Sequence, residues 1–170
     1  MFTIEQASIK PLKRALSNLS NILKKGEAYA DAKKIDHSVL LNARLFPDMY
    51  PLTRQVQIAT DMSKGAAARL ADIEIPKYDD TETTFAELYA RIEKTIAFIN
   101  AIESKQLENA ENRDVTITVR KVDLDFKGGD YLTFWVLPNV YFHVATAYNI
   151  LRHNGVELGK SEFLGPRKSD

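Results

Sequence analysis

The sequence predicts a mainly α protein in which four helices carry a small β-hairpin between the third and the fourth. Three observations lead there. Apolar residues recur at helical spacing in four separate segments, and a stretch near residues 115–126 alternates apolar with polar residues instead. The 170 residues are 45% hydrophobic and 27% charged with no cysteine, a balance that supports an ordinary buried core without covalent staples. One helical-bundle domain over residues 1–170 is the expected organisation.

The first helix is expected over about Thr3 to Lys24. Leu12, Leu16, Leu19 and Leu23 share one face, and Thr3 with Gln6 three residues on makes a capping box. Pro11 should sit in the early turns or kink the helix, and Gly26 reads as its stop. Short helical pieces are expected at Ala28–Lys33 and, capped by Asp36, through Leu41. Pro51 opens the second helix, with Leu52, Val56, Ala59, Ser63, Ala66 and Leu70 as the buried stripe and an end by Asp72. The small residues Gly65-Ala66-Ala67-Ala68 should let a neighbouring helix come close. Thr84 and Glu87 box the start of the third helix, whose stripe is Phe85, Leu88, Ile92, Ile96, Ile99 and Ile102, ending near Ser104.

Val115, Ile117 and Val119, then Val122, Leu124 and Phe126, alternate with polar residues on either side of a tight turn at Arg120-Lys121. A two-stranded hairpin is marginal alone and must lie on the helices or on a second subunit. After Gly128-Gly129, Asp130 is expected to cap the fourth helix, which carries Leu132, Val136, Val140, Ala147 and Leu151, is bent or split by Pro138, and stops at Asn154-Gly155. The last fifteen residues read as an extended tail.

Composition excludes several functions. Lysine plus arginine and aspartate plus glutamate each total 23, so no net charge draws the chain to nucleic acid or an anionic membrane. Without cysteine there is no thiol nucleophile, zinc knuckle or iron–sulfur ligand, and a cytoplasmic location is expected. The longest apolar stretch, near Tyr131 to Leu137, is far short of the ~20 residues that span a bilayer. The sequence contains no Glu-x-x-His repeat, His-Glu-x-x-His, phosphate-cradling glycine loop or Gly-x-Ser-x-Gly elbow.

Of the three histidines, His143 is the candidate functional group. It continues the inward stripe of the fourth helix, with Asn139 one turn before it. Such a pair inside a bundle needs partners, because an unpaired buried polar group costs about 1–3 kcal/mol. His143 is therefore either a core histidine bonded to a neighbouring helix, or a base or metal ligand facing a cavity. Gln57 and Asp61, one turn apart on the second helix, are expected either to face that same cavity or to form a solvated face. His153 sits where a cation favours the helix C-terminus, and His37 at a helix start. The aromatic residues Tyr131, Phe134, Trp135, Tyr141, Phe142 and Tyr148 exceed what one stripe buries, so they serve a partner surface or hold the hairpin.

The stretches Asp36-His37-Ser38-Val39-Leu40-Leu41, Phe46-Pro47-Asp48-Met49-Tyr50-Pro51-Leu52 and Gln55-Val56-Gln57-Ile58-Ala59 resemble a bacterial family of unknown function. So do Pro138-Asn139-Val140-Tyr141-Phe142-His143-Val144 and Ile150-Leu151-Arg152-His153-Asn154-Gly155-Val156. That family looks like an outlying branch of the DinB/YfiT-like superfamily. The resemblance implies an up-down four-helix bundle, often dimeric. Many superfamily members are metal-dependent, with three histidines converging in the bundle, and some are thiol-dependent transferases or hydrolases. Counting back from Ile150-Leu151-Arg152 puts His143 on the second of two histidines four apart, the first on Asn139, and the third near Gln57 or Asp61. The expectation is a homodimer with a small-molecule pocket near His143, Asn139, Gln57 and Asp61, and a degenerate metal site of which His143 alone remains. The alternative is a hydrolase or thiol transferase that binds a divalent metal through His143, Asp61 and Asn139.

Overall fold

A computed structural model describes residues 3–166. Four long helices form the bundle: α1 (Ile4–Lys33), α3 (Leu52–Ala71), α4 (Phe85–Asn100) and α6 (Leu137–His153). Both α1 and α3 pack on α4 and on α6, which sets α1 and α3 on opposite corners. The core is continuous between them, built from Leu12, Leu16, Leu19, Ile22, Leu52, Val56, Leu70, Phe85, Leu88, Ile92, Val136, Val140 and Leu151 among others. No described helix is long and apolar enough to cross a membrane.

Thr3 and Gln6 form the expected capping box at the start of α1, and Pro11 lies within a helix that runs on past it. Gly26 does not stop that helix. It is buried, and a side chain there would begin 2.9 Å from Cδ2 of Leu151, so the glycine admits α6 against α1. The helix continues through the segment Ala28–Lys33 and ends at Lys34, whose left-handed φ of 56° returns its N–H to the carbonyls of Ala30 and Asp31. Asp36 then caps α2 (His37–Leu41) by accepting from Ser38 N at 2.8 Å.

α3 starts after Pro51 and ends at Asp72, also left-handed, with the whole predicted stripe and the small run 65–68 buried. Residues 73–84 cross to α4 without regular structure. Thr84 and Glu87 box the start of α4 as expected, but the helix ends at Asn100 rather than near Ser104. Glu103 starts a separate 3₁₀ turn (Ser104–Leu107) by taking the Gln106 side chain on its own N–H, and a second turn follows at Ala110–Asn112.

Strands β1 (Asp114–Val119) and β2 (Val122–Lys127) pair antiparallel, with Val115 opposite Phe126 and Ile117 opposite Leu124. Arg120 and Lys121 both adopt positive φ, 51° and 68°, the backbone of a turn whose twist suits a two-residue hairpin. Val115 and Ile117 are buried, while on the outer face Thr116 and Thr118 donate to Asp125 and Asp123 across the strands.

Asp130 is not a cap. Its backbone is already helical, because the chain turns into α5 (Gly128–Asp130) straight from β2, with Lys127 at the N-cap position. This is possible only because residue 128 lacks a side chain. A Cβ there would lie 1.9 Å from the Ala110 carbonyl oxygen. α5 flows into a π-helical segment (Tyr131–Val136), and α6 resumes with Pro138 in its first turn. Proline has no N–H for the carbonyl four residues earlier, so Pro138 is the natural place for the ladder to change step. Asn154 and Gly155 (φ 94°) end α6 as expected.

The tail is not extended throughout. Val156 and Leu158 are buried and α7 (Lys160–Leu164) folds back on α1. Lys25 pairs with Glu162 at 2.7 Å, and Arg14 and Asn18 donate to the carbonyls of Leu164 and Phe163. The tail beyond Pro166 lies outside the described residues.

Candidate functional site

His143 points inward from α6 and is 9% exposed. Its Nδ1 lies 2.7 Å from Oε1 of Gln55 on α3, and Gln55 in turn donates from Nε2 to the Tyr50 carbonyl at 3.0 Å. This is a buried side-chain relay from the α2–α3 connection to α6. No described residue bonds His143 Nε2, and no buried polar side-chain atom among the described residues lacks a partner, so that nitrogen is not sealed from solvent. The Phe142 ring stands edge-on to the imidazole, with centroids 5.2 Å apart. Asn139, half-buried, donates from Nδ2 to the Trp135 carbonyl at 2.6 Å.

Burial, and secondarily the charge of Arg54, hold the His143 pKa below its ordinary value of 6.5. Above that value the ring is neutral in both states. Below it the unfolded chain takes up a proton that the folded site resists, so stability falls as the pH drops through 6.5. Urea midpoints taken from about pH 7.5 to about pH 5.5 should therefore decline in the native protein and decline less in H143Q. Parallel curves would show that His143 charges freely in the folded state.

Gln57 and Asp61 do not join this relay. They lie toward α4, around Arg91, a buried cation outside the set of expected site residues. Its guanidinium donates to Thr60 Oγ1 (2.7 Å), the Asp79 carbonyl (3.0 Å), Glu82 Oε1 (2.9 Å) and Asp61 Oδ1 (2.8 Å), and pairs with Asp80 Oδ1 (3.0 Å). Four of its five N–H groups are thereby hydrogen-bonded, and the Asp80 carboxylate stands beside the same guanidinium as an ion pair. Gln57 donates to Glu82 Oε2 at 2.9 Å, Arg54 reaches both Gln57 and Asp80, and Lys64 pairs with Asp61 at 2.8 Å. Burial alone would raise the Glu82 pKa, but the hydrogen bonds from Arg91 and Gln57 outweigh it and the pKa lies low. The Tyr78 ring carries Lys64, Lys94 and Arg91 at 3.7, 4.3 and 5.4 Å. The cluster pins the 73–84 crossing to α3 and α4. A cleft of about 340 Å³ beside it is lined by Arg54, Gln57, Asp80 and Glu82 but not by His143.

The remaining candidates divide as well. His37 heads α2, with Nε2 on Asp31 Oδ1 at 2.8 Å and its ring edge-on to Phe85, and His153 is exposed in the last turn of α6. Tyr131 and Trp135 pack on Phe126 of the hairpin, and Tyr148 on Phe163. Phe134, Phe142 and Tyr141 stay exposed, at 74%, 58% and 41%.

Two residues of consequence, Gln55 and Arg91, carry a signal in the sequence. Gln55 falls three residues after Leu52 and four before Ala59, and Arg91 three after Leu88, so both occupy apolar stripes with polar side chains. A polar residue on a buried stripe announces a partner.

Four packed helices, a hairpin inserted before the last of them and an inward histidine on that helix define a DinB-like bundle. The chain belongs to the DUF1993 family, described as a domain of unknown function, whose family model matches residues 4–164. It is similar to the crystal structure of a DinB family member protein from Shewanella denitrificans, with a TM-score of 0.91 and 39% identity over 98% of this chain and 94% of that one. No curated protein matches the chain. The resemblance read from the sequence thus stands at the level of family and fold.

The metal triad implied by the wider superfamily does not fit these residues. Next to His143 stands an amide, Asn139, and the nearest group on α3 is another amide, Gln55, which takes the histidine's Nδ1. Asp61, the carboxylate of the alternative ligand set, is committed to Arg91 and Lys64. Among the described residues no group of three or more His, Cys, Asp or Glu is placed to hold a metal ion. Amides are weak ligands, and a zinc site asks for three good ones.

Proposed function

We propose that the protein is a homodimeric helical-bundle binding module that holds a small molecule at His143, on a metal site reduced to that one histidine. The observation that carries this reading is the single-sided use of the imidazole. Nδ1 is tied down inside the bundle, while Nε2 has no partner among the described residues and opens beside an exposed phenylalanine. A core histidine kept only for packing gains by satisfying both nitrogens. Here one is left for something outside the chain. The binding role of Asn139 follows from its place one turn away, whereas Gln57 would act only through the neighbouring cleft and Asp61 only through its hold on Arg91 and Lys64.

The dimer is supported by the exposed aromatics Phe134 in the π-helical segment and Phe142 on α6, and by Tyr50 beside Gln55. A net charge of zero sets no long-range repulsion between copies. Sedimentation of chelator-free protein, with metal analysis of the sedimenting fraction, tests both parts. The expected species has about twice the 19.2 kDa chain mass and far less than one metal per chain. A 19.2 kDa species removes the dimer, and one tightly held zinc, nickel or iron per chain favours the metal-dependent hydrolase or transferase instead.

A further inference from the structure

We propose that Gln55 is a positioning residue which locks His143 in the Nδ1–H tautomer, so that the site receives a neutral ligand through an O–H or N–H donated to Nε2. This rests on the reading of His143 as the ligand-facing group. The argument is one of donors and acceptors. A backbone carbonyl only accepts, so the Tyr50 oxygen fixes the Gln55 amide with its NH₂ outward and Oε1 toward the imidazole. The oxygen Oε1 also only accepts, so the hydrogen between it and His143 belongs to Nδ1. A neutral imidazole carries one N–H, which leaves Nε2 as a bare lone pair.

The anchor is itself rigid. Tyr50 precedes Pro51 and is held to extended backbone, and the preceding turn is closed by Met49 N donating to the Phe46 carbonyl. Flipping the Gln55 amide would set two carbonyl oxygens against each other at the 3.0 Å now spanned by a hydrogen bond. Burial and the nearby Arg54 charge keep the ring neutral, which is the state the lock requires. Asn139 gives one N–H of its amide to the Trp135 carbonyl, which turns Oδ1 away from that carbonyl as a second acceptor on the same helix face. The lone pair of Nε2 repels anions, and Arg54 disfavours cations. A neutral donor such as a hydroxyl compound satisfies that lone pair, with the Phe142 ring as an apolar wall.

Nitrogen-15 NMR of histidine-labelled protein, together with phenol and toluene as shape-matched probes, tests this. The expected result is a protonated Nδ1 and an unprotonated Nε2 at neutral pH, with phenol but not toluene shifting the Nε2 resonance. Q55L should release the ring toward Nε2–H and cut the phenol response several-fold. Q55E, which keeps an acceptor, should retain Nδ1–H and move the His143 titration upward. Because Q55E preserves the buried contact, it decides the matter even where Q55L folds poorly. A native ring protonated on Nε2, or a tautomer unchanged in Q55L, overturns the role of Gln55. An Nδ1–H ring that ignores phenol leaves Gln55 its role and overturns the ligand reading of His143.

Discussion

Replacing Arg91 with leucine is expected to cost about 3 kcal/mol or more of stability, the range found when one partner of a buried ion pair is removed. The size of the loss follows from what is left behind. The Arg91 side chain is 2% exposed and is the common cation of Asp61, Asp80 and Glu82. Leucine fills much of the volume but leaves those carboxylates facing one another, and it frees the Asp79 carbonyl and Thr60 hydroxyl as well. R91K should recover less than half, since an ammonium lacks the planar fork that reaches five acceptors. Urea denaturation gives both numbers. A loss below about 1 kcal/mol would mean that the cluster behaves as ordinary exposed ion pairs, screened by water.

The second large effect is expected at Gly128. G128A drives a methyl group to 1.9 Å from the Ala110 carbonyl oxygen and 3.1 Å from Cδ2 of Leu70. Backbone cannot rotate aside as a side chain does. The turn Ala110–Asn112 or the start of α5 must therefore move, and about 3 kcal/mol should be lost, the upper range for overpacking. The adjacent G129A is the control. Its methyl group would meet Glu111 only at 3.6 Å, an ordinary contact, and alanine is the better helix former by up to about 1 kcal/mol. Thermal melts of the two variants should move in opposite directions. Equal shifts would show that the junction tolerates a side chain on either residue.

Periodicity and capping made most of the fold legible. Thr3 with Gln6, Thr84 with Glu87, the Asp36 cap and the Asn154-Gly155 stop are local chemistry, decided by residues within a turn of one another, and each stands where the sequence places it. The misreadings at Gly26, Asp130 and the tail have one cause. In each case a distant segment decides. Leu151 explains Gly26, Ala110 explains why helix starts at Gly128 and leaves Asp130 inside it, and Arg14, Asn18 and Lys25 explain α7. His143 and Asn139 could be placed on the inward side of their helix because the stripe around them is regular. Their partners could not be named, since whether Gln55 or Gln57 meets His143 depends on how α3 is rotated against α6. A stripe fixes that rotation only when its polar members are counted along with the apolar ones.

The π-helical segment between Tyr131 and Val136 carries one residue more than an α-helical path of the same rise needs, and so reads as a one-residue insertion absorbed without a break. Leu132, Val136 and Val140 all face the core although each step is four residues, longer than the 3.6 of an α-helix. The wide turn takes up the excess. The consequence is one of frame. Loss of any single residue here would restore a regular helix upstream and swing everything beyond it by about 100° about the axis. The aromatic anchor on the hairpin and the histidine two turns later could then no longer be satisfied together. Length in this short stretch thus constrains the site as tightly as the identity of His143 itself.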